Sequence, residues 1–181
     1  MLTVKEREGF EEELLAEEAV NPLRVCFVCT GNTCRSPMAE AVTAALASRA
    51  IELLPDAVRQ FVAPSVEATS AGLYPIQGEP ISAEACAALE REGIPSTACH
   101  NYRMHLARAI DLPTVEQVDL LVGMTSRHAM ELLLRYPQAA SKIVCMPEEI
   151  QDPYGGDKEV YFACLQEIKK GVSKLLADYL P

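Results

Sequence analysis

Cys29 and Arg35 stand six residues apart in a short polar segment whose residue types suit chemistry on an oxyanion. The segment reads Cys29, Thr30, Gly31, Asn32, Thr33, Cys34, Arg35, Ser36. A cysteine thiolate is a strong nucleophile, and the planar fork of an arginine side chain holds two phosphate oxygens at once. These residues at this spacing predict a pocket that binds a phosphate group and attacks it through Cys29.

The flanking residues predict that this segment is a strand-to-helix loop. Leu23–Val28 is apolar and rich in β-branched residues, as in a buried strand, and Pro37–Val42 has the character of a first helical turn. Backbone N–H groups of such a loop, together with the start of the helix, form an anion-binding concavity. Positive potential at that point favours the thiolate form of Cys29.

The other residues of the loop have supporting roles in this prediction. Gly31 permits unusual backbone angles, and Asn32 and Thr30 are short polar groups that brace the loop. The Ser36 hydroxyl either braces the loop as well or helps the sulfur to leave in a second step. Cys34 is either a packing thiol or the partner of Cys29 in a transient protective disulfide.

A second motif lies far downstream and extends the first into a resemblance to a known family. Asp152-Pro153-Tyr154-Gly155-Gly156 follows the apolar run Ile143–Met146, and alone it is typical of a turn before a helix. With the cysteine loop, it resembles the low-molecular-weight protein tyrosine phosphatase family over about residues 23–180. The resemblance implies that Asp152 is the general acid and that Ser70 hydrogen-bonds Asn32 in a supporting role. The residues expected to bind the substrate are Thr30, Gly31, Asn32, Thr33, Cys34, Ser36 and Tyr154.

The same resemblance offers two substrates. Tyrosine-specific members usually carry an aliphatic residue at the position of Thr33 and a second aromatic beside that of Tyr154, and this chain has neither. The chain is more similar to the bacterial protein arginine phosphatase branch, with threonine in the loop and Gly-Gly after the aromatic. A threonine hydroxyl suits a polar guanidinium, so phosphoarginine is the preferred substrate and phosphotyrosine the alternative.

Two other functions share parts of this pattern. Arsenate reductases of the thioredoxin-coupled type have a similar loop but need resolving cysteines after the third strand, where Gly123–Arg127 contains none. A module that binds phosphoproteins without hydrolysing them would not need the nucleophile and the acid. The mechanism requires no metal and no cofactor, because Arg35 and the loop N–H groups supply the stabilising charge.

The composition of the chain limits which other partners are expected. A net charge of −10 argues against a nucleic-acid partner, and no apolar run approaches the ~18 residues of a membrane span. Seven cysteines, an odd number, favour a reducing cytoplasm over a disulfide framework. The expected partners are phosphorylated proteins, with phosphate or other oxyanions in the loop.

The order of elements predicts an α/β fold in a single domain of residues 22–181, preceded by an acidic N-terminal extension over residues 1–21. Strands are expected at Leu23–Val28, in a segment that ends with Ser70-Ala71-Gly72, at Asp119–Met124 and at Ile143–Met146. Helices are expected at Pro37 to about Leu54, Ser82–Glu92, Ser126–Tyr136 and Lys158–Tyr179. One face of the last helix is expected to join the core, and it carries Tyr161, Cys164, Ile168, Val172, Leu175 and Tyr179. This alternation favours a four-stranded, twisted parallel sheet of flavodoxin-like type with helices on both faces. Cys29 and Asp152 then emerge at the same edge.

Overall fold

The structure is a computed structural model that describes residues 21–52, 65–98 and 100–180. All but Asn21 of the expected acidic extension therefore lies outside the described residues, as does most of the link between the first helix and the second strand. Among the described residues, none of the helices combines the length and the apolar character that a membrane-spanning helix needs.

In the described part of the chain, four strands form one parallel sheet in the order β2-β1-β3-β4. Their bounds are Leu23–Cys29 for β1, Val66–Gly72 for β2, Leu120–Gly123 for β3 and Ile143–Cys145 for β4. In the register between β1 and β2, Cys29 lies opposite Gly72. The end of β1, where the nucleophile loop begins, is therefore flanked by β2 on one side and β3 on the other.

Among residues 21–52, 65–98 and 100–180, five α-helices cover the sheet. They are α1 Arg35–Glu52, α2 Ala83–Arg91, α3 Leu112–Gln117, α4 Ser126–Arg135 and α5 Lys158–Tyr179. Side chains of Ser82, Asp111, Thr125 and Asp157 accept hydrogen bonds from the first N–H groups of α2, α3, α4 and α5. Each cap satisfies N–H groups that have no partner within the helix, which fixes where the helix begins.

Alternate residues of β1 pack into cores on opposite faces of the sheet. Val25 and Phe27 join the larger core, which contains apolar side chains of α1, α2 and α5. Cys26 and Val28 join the smaller core, which contains Val115 of α3 and Leu132 of α4. Side chains of a strand alternate between its two faces, so this arrangement confirms the predicted sheet with helices on both faces.

The expected elements differ from the observed ones in three respects. Helix α1 begins at Arg35 and not at Pro37, so the proline occupies the third helical position, where an N–H would have no partner within the helix. The six-residue helix α3 was not expected, although Asp111 and the proline of its first turn are its start signals. Tyr179 was expected on the core face of α5, but its side chain is exposed.

Candidate active site

The nucleophile loop starts at the last residue of β1 and ends where α1 begins. Cys29 is buried, and its Sγ accepts a hydrogen bond of 3.3 Å from the backbone N–H of Asn32. The same sulfur lies 3.0 Å from Ser36 Oγ. Asn32 has a φ of 57°, a left-handed conformation that asparagine tolerates better than most residues. This turn curls the backbone around the sulfur and directs an N–H group at it.

The side chain of Asn32 is fully buried and fixes the loop from behind. Its Nδ2 donates to Ser70 Oγ at 2.9 Å and to Ser36 Oγ at 3.0 Å, and its Oδ1 accepts from the backbone N–H of Arg108 at 2.9 Å. The backbone oxygen of Asn32 lies 2.8 Å from His105 Nε2. The bond between Ser70 and Asn32 that the family resemblance implied is therefore present.

The carboxyl group of Glu40, whose side chain is 17% exposed, continues this support. Ser70 Oγ donates to Glu40 Oε2 at 2.5 Å, and Glu40 Oε1 lies 3.5 Å from His100 Nδ1. Burial raises the pKa of Glu40 above its ordinary value. The contacts form a chain from the loop through Ser70 to α1, so a polar network holds the loop to the body of the domain.

Gly72, at the end of β2, allows the loop to pack closely against the sheet. A Cβ atom there would lie 2.9 Å from the carbonyl oxygen of Thr30 and 3.2 Å from Asn32 Cβ. Just beyond it, the N–H groups of Leu73 and Tyr74 donate to the carbonyl oxygens of Cys29 and Thr30, both at 2.9 Å. Glycine is needed because any side chain would push the loop away.

Arg35 joins the loop to the Asp-Pro motif. Its guanidinium is buried; Nη2 donates to Asp152 Oδ2 at 2.6 Å and Nη1 donates to the carbonyl oxygen of Ile150 at 3.3 Å. Its Nε is buried and has no hydrogen-bond partner among the described residues. The Asp152 side chain is 52% exposed, so this carboxylate is open to a ligand while it holds Arg35.

A cavity of about 260 Å³ opens above the loop. It is lined by Cys29, Thr30, Gly31, Thr33, Cys34 and Arg35 of the loop, by Tyr74, Ile76 and Glu79, and by Asp152 and Tyr154. Its floor therefore carries a thiol and a guanidinium, and its walls carry hydroxyl, carboxylate and aromatic groups. Both sequence motifs, which are more than a hundred residues apart, meet in this one cavity.

Two residues predicted to contact the substrate lie behind the cavity instead. Asn32 and Ser36 are fully buried and are not part of the cavity lining, because the left-handed turn directs the Asn32 amide to Ser70 and Arg108. Their geometry supports the loop. Ser36 nevertheless remains in contact with the Cys29 sulfur from the side of α1.

Cys34 lines the cavity and also contacts α5. Its Sγ lies 3.2 Å from Tyr161 Oη and 3.6 Å from Ser82 Oγ. Burial raises the pKa of Tyr161, and the neighbouring Cys34 acts in the same direction. These contacts of Cys34 with Tyr161 and Ser82 hold the second half of the loop against α2 and α5.

Sequence reasoning missed the histidine that reaches the loop from α4. His128 Nε2 lies 3.1 Å from Thr30 Oγ1, and His128 Nδ1 lies 2.8 Å from Thr125 Oγ1. The available signal was the position of Thr125 and His128 just after β3, at the sheet edge where ligands of such folds bind. Within residues 21–52, 65–98 and 100–180, no three His, Cys, Asp or Glu side chains are grouped to hold a metal ion.

The three histidines predict how stability depends on pH. Burial lowers the pKa of His100, His105 and His128, that of His128 to about 4. Unfolded histidines bind protons near pH 6.5, so below that pH these three side chains hold more protons in the unfolded chain than in the folded one, and for His128 the difference extends to about pH 4. As the pH decreases below 6.5, the free energy of unfolding should therefore decrease, by at most about 1.4 kcal/mol per pH unit for each histidine.

Thermal unfolding at pH 7.5 and pH 5 measures this effect. Glu40 has a raised pKa and opposes it, so His128→Gln provides the matched comparison because it removes one titrating group and leaves Glu40 in place. We expect a smaller loss of Tm on acidification in this variant than in the wild type. Equal losses in both proteins would contradict a buried neutral His128.

Comparison with known proteins adds evidence from outside the chain. Residues 24–180 match the family model described as low molecular weight phosphotyrosine protein phosphatase. A protein-arginine-phosphatase from Geobacillus stearothermophilus is 30% identical over 161 residues, covering 85% of this chain and 94% of that protein. The solved structure of an arginine phosphatase from the same organism superposes on this chain with a TM-score of 0.68. The match covers 87% of this chain and 92% of that one.

Two further solved structures are similar. The low molecular weight protein tyrosine phosphatase from T. tengcongensis is 32% identical with a TM-score of 0.71, covering 86% of this chain and 99% of that one. An arginine phosphatase in which serine replaces the active-site cysteine, and in which that serine is phosphorylated, is 25% identical with a TM-score of 0.71. It covers 86% of this chain and 94% of its own.

Proposed function

Because the chain belongs to the low-molecular-weight phosphotyrosine protein phosphatase family and is a cysteine-dependent protein phosphatase, we propose that it hydrolyses phosphoarginine in proteins. The observation that carries this proposal is the polar wall of the cavity, where Thr33, Glu79 and Asp152 surround the loop. A guanidino group carries N–H donors, and these oxygens accept hydrogen bonds from them. A tyrosine ring would shield the Thr33 hydroxyl from water and leave it only its weak contact of 3.6 Å with Cys34 Sγ, at a cost of up to about 1–3 kcal/mol.

The proposed reaction has two displacements at phosphorus. In the first, the Cys29 thiolate attacks, the S–P bond forms and the P–N bond to the substrate breaks. Asp152 gives its proton to the departing nitrogen, a step typically worth ~10²–10⁴-fold in rate. In the second, water attacks the cysteinyl phosphate, Asp152 takes a proton from that water, and the S–P bond breaks to restore the thiolate and release phosphate.

Arg35 and the loop stabilise the charge of the transferring group in this scheme. Negative charge on the three equatorial oxygens is met by loop N–H groups and by the guanidinium. In the structure, Arg35 Nη2 is bound to Asp152 at 2.6 Å. A phosphoryl group in the loop competes for this donor, and Asp152, released from the guanidinium, takes up a proton from solvent and turns toward the leaving nitrogen. The ion pair therefore links anion binding to the availability of the acid.

Phosphotyrosine is the second candidate substrate. Tyr74, Ile76 and Tyr154 line the cavity and are exposed, Tyr154 to 82%, so an aromatic ring would find apolar surface at the mouth. This surface also suits the aliphatic stem of an arginine, and it does not distinguish the two substrates by itself. The proposed place of action is the cytoplasm, whose reducing conditions keep the Cys29 thiol free.

Thr33→Ile tests the choice of substrate. We expect this variant to lower the ratio of kcat/KM for phosphoarginine peptides over phosphotyrosine peptides about tenfold, because it replaces a hydroxyl by apolar surface. Side-by-side turnover of the two peptides by both proteins measures the ratio. The matched control is Thr69→Ile on the exposed side of β2, outside the cavity, which should leave the ratio unchanged.

The outcomes separate the levels of the proposal. A wild-type preference for phosphotyrosine would overturn arginine specificity and leave the cysteine-dependent chemistry standing. An unchanged ratio in Thr33→Ile would show that selectivity does not depend on this hydroxyl.

A further inference from the structure

A chain of three side chains connects the start of α4 with the wall of the active-site cavity. His128 is 6% exposed, and its two ring nitrogens contact Thr30 and Thr125 at 3.1 and 2.8 Å. Thr30 follows Cys29 directly and lines both the active-site cavity and a neighbouring cavity of about 420 Å³. A hydrogen-bonded path therefore runs from Thr125 through His128 to a hydroxyl beside the nucleophile.

The direction of this path follows from the helix cap. Thr125 Oγ1 accepts a hydrogen bond from the backbone N–H of His128 at 3.4 Å, as the N-cap of α4. Backbone N–H groups at a helix start create positive potential, which favours a ring nitrogen with a lone pair over one with a hydrogen. Nδ1 therefore accepts the Thr125 hydroxyl hydrogen. A neutral imidazole carries one N–H, so Nε2 bears it and donates to Thr30 Oγ1.

The charged groups around His128 are consistent with a neutral ring. Arg35, Asp152, Arg127 and Glu149 face it, two cations and two anions, and burial is the largest influence on its pKa. The ring is uncharged above about pH 4. Its single N–H is then committed to Thr30, whose oxygen accepts it and whose own hydrogen stays free to point into the cavity.

We propose that His128 is a positioning residue that orients the Thr30 hydroxyl as a hydrogen-bond donor to an oxygen of the phosphoryl group held in the loop. The proposal rests on the proposed chemistry at Cys29. A donor fixed in advance stabilises the transition state more than the bound substrate when it matches the positions that the equatorial oxygens take up as the transferring group becomes planar. The effect should therefore fall on kcat more than on KM.

Removing either end of the contact should have the same result. With para-nitrophenyl phosphate as substrate, we expect Thr30→Val and His128→Ala each to lower kcat about tenfold with little change in KM. Both act through one hydroxyl, so the double variant should be no slower than Thr30→Val alone. His128→Gln and Thr30→Ser should restore most of kcat, since each keeps the required donor.

Two controls separate this role from a purely structural one. Met130→Ala alters the same helix at a side chain that is 62% exposed and should leave kcat unchanged. Nitrogen NMR of the wild-type ring at pH 7 should show the hydrogen of His128 on Nε2, a readout that packing alone does not fix. Should His128→Ala fail to fold, Thr30→Val and the NMR spectrum still carry the test.

The inference fails if the ring hydrogen is on Nδ1, if the two losses add in the double variant, or if Thr30→Val retains full kcat. A wild-type protein that turns over no phosphate ester or phosphoarginine would instead overturn the proposed function. The two failures are therefore distinguishable.

Discussion

Cys29→Ser should stop turnover and trap the enzyme with a phosphoserine at position 29 instead of the transient cysteinyl phosphate. A hydroxyl attacks phosphorus more slowly than a thiolate, and the resulting P–O bond breaks far less readily because an alkoxide is the poorer leaving group. We expect kcat to fall by about 10⁴-fold or more, as for the loss of other covalent nucleophiles. Phosphorylation of the active-site serine in a similar arginine phosphatase supports this outcome.

Intact-protein mass spectrometry after incubation with a phosphoarginine peptide measures the trapped species. The mass should rise by one phosphoryl group, and peptide mapping should assign it to position 29. Cys145→Ser is the matched control, because this cysteine is exposed and should keep full turnover with no added mass. Undiminished kcat in Cys29→Ser would remove the cysteinyl phosphate from the mechanism.

Asp152→Ala should lower kcat about 10²- to 10⁴-fold, the usual value of a positioned general acid. The loss should be smaller for para-nitrophenyl phosphate, whose leaving group departs without a proton, than for a phosphoarginine peptide. Inorganic phosphate should bind more tightly to the variant. In the wild-type protein, Arg35 Nη2 donates a hydrogen bond to the Asp152 carboxylate. Removal of that carboxylate frees the donor for an anion.

Steady-state kinetics with both substrates and competitive inhibition by inorganic phosphate measure these effects. Asp178→Asn, an exposed change near the far end of α5, serves as the control and should alter neither quantity. Equal losses with both substrates would argue that Asp152 does not protonate the leaving group. Weaker phosphate binding would contradict the competition for Arg35.

The long elements and both motifs were predictable because their signals are local. Runs of apolar, β-branched residues identified the strands and helical patterns identified the longer helices, and the spacing of Cys29 and Arg35 lies within one loop. Helix α3 was missed because six residues show barely two turns of periodicity. The meeting of Cys29 and Asp152 followed from the rule that parallel strands end at a common edge.

The support of the loop was not predictable for a physical reason. His128, His105 and Arg108 reach it from segments 73 to 98 residues away, and no periodic pattern encodes such contacts. The same holds for Asn32, whose burial depends on a single left-handed residue. Residue types and their spacing in the sequence indicated the reacting groups. Tertiary packing decides which of the polar residues line the cavity and which only brace the loop.

The contacts of the Asn32 side chain determine when a newly synthesised chain becomes active. Its amide is satisfied by Ser70 and by the N–H of Arg108, 38 and 76 residues further along. Until both have been synthesised and docked, Cys29 is an ordinary thiol on an unfinished chain without an anion cradle. Catalytic competence therefore emerges cooperatively with assembly of the sheet, and a half-made phosphatase has no premature chemistry.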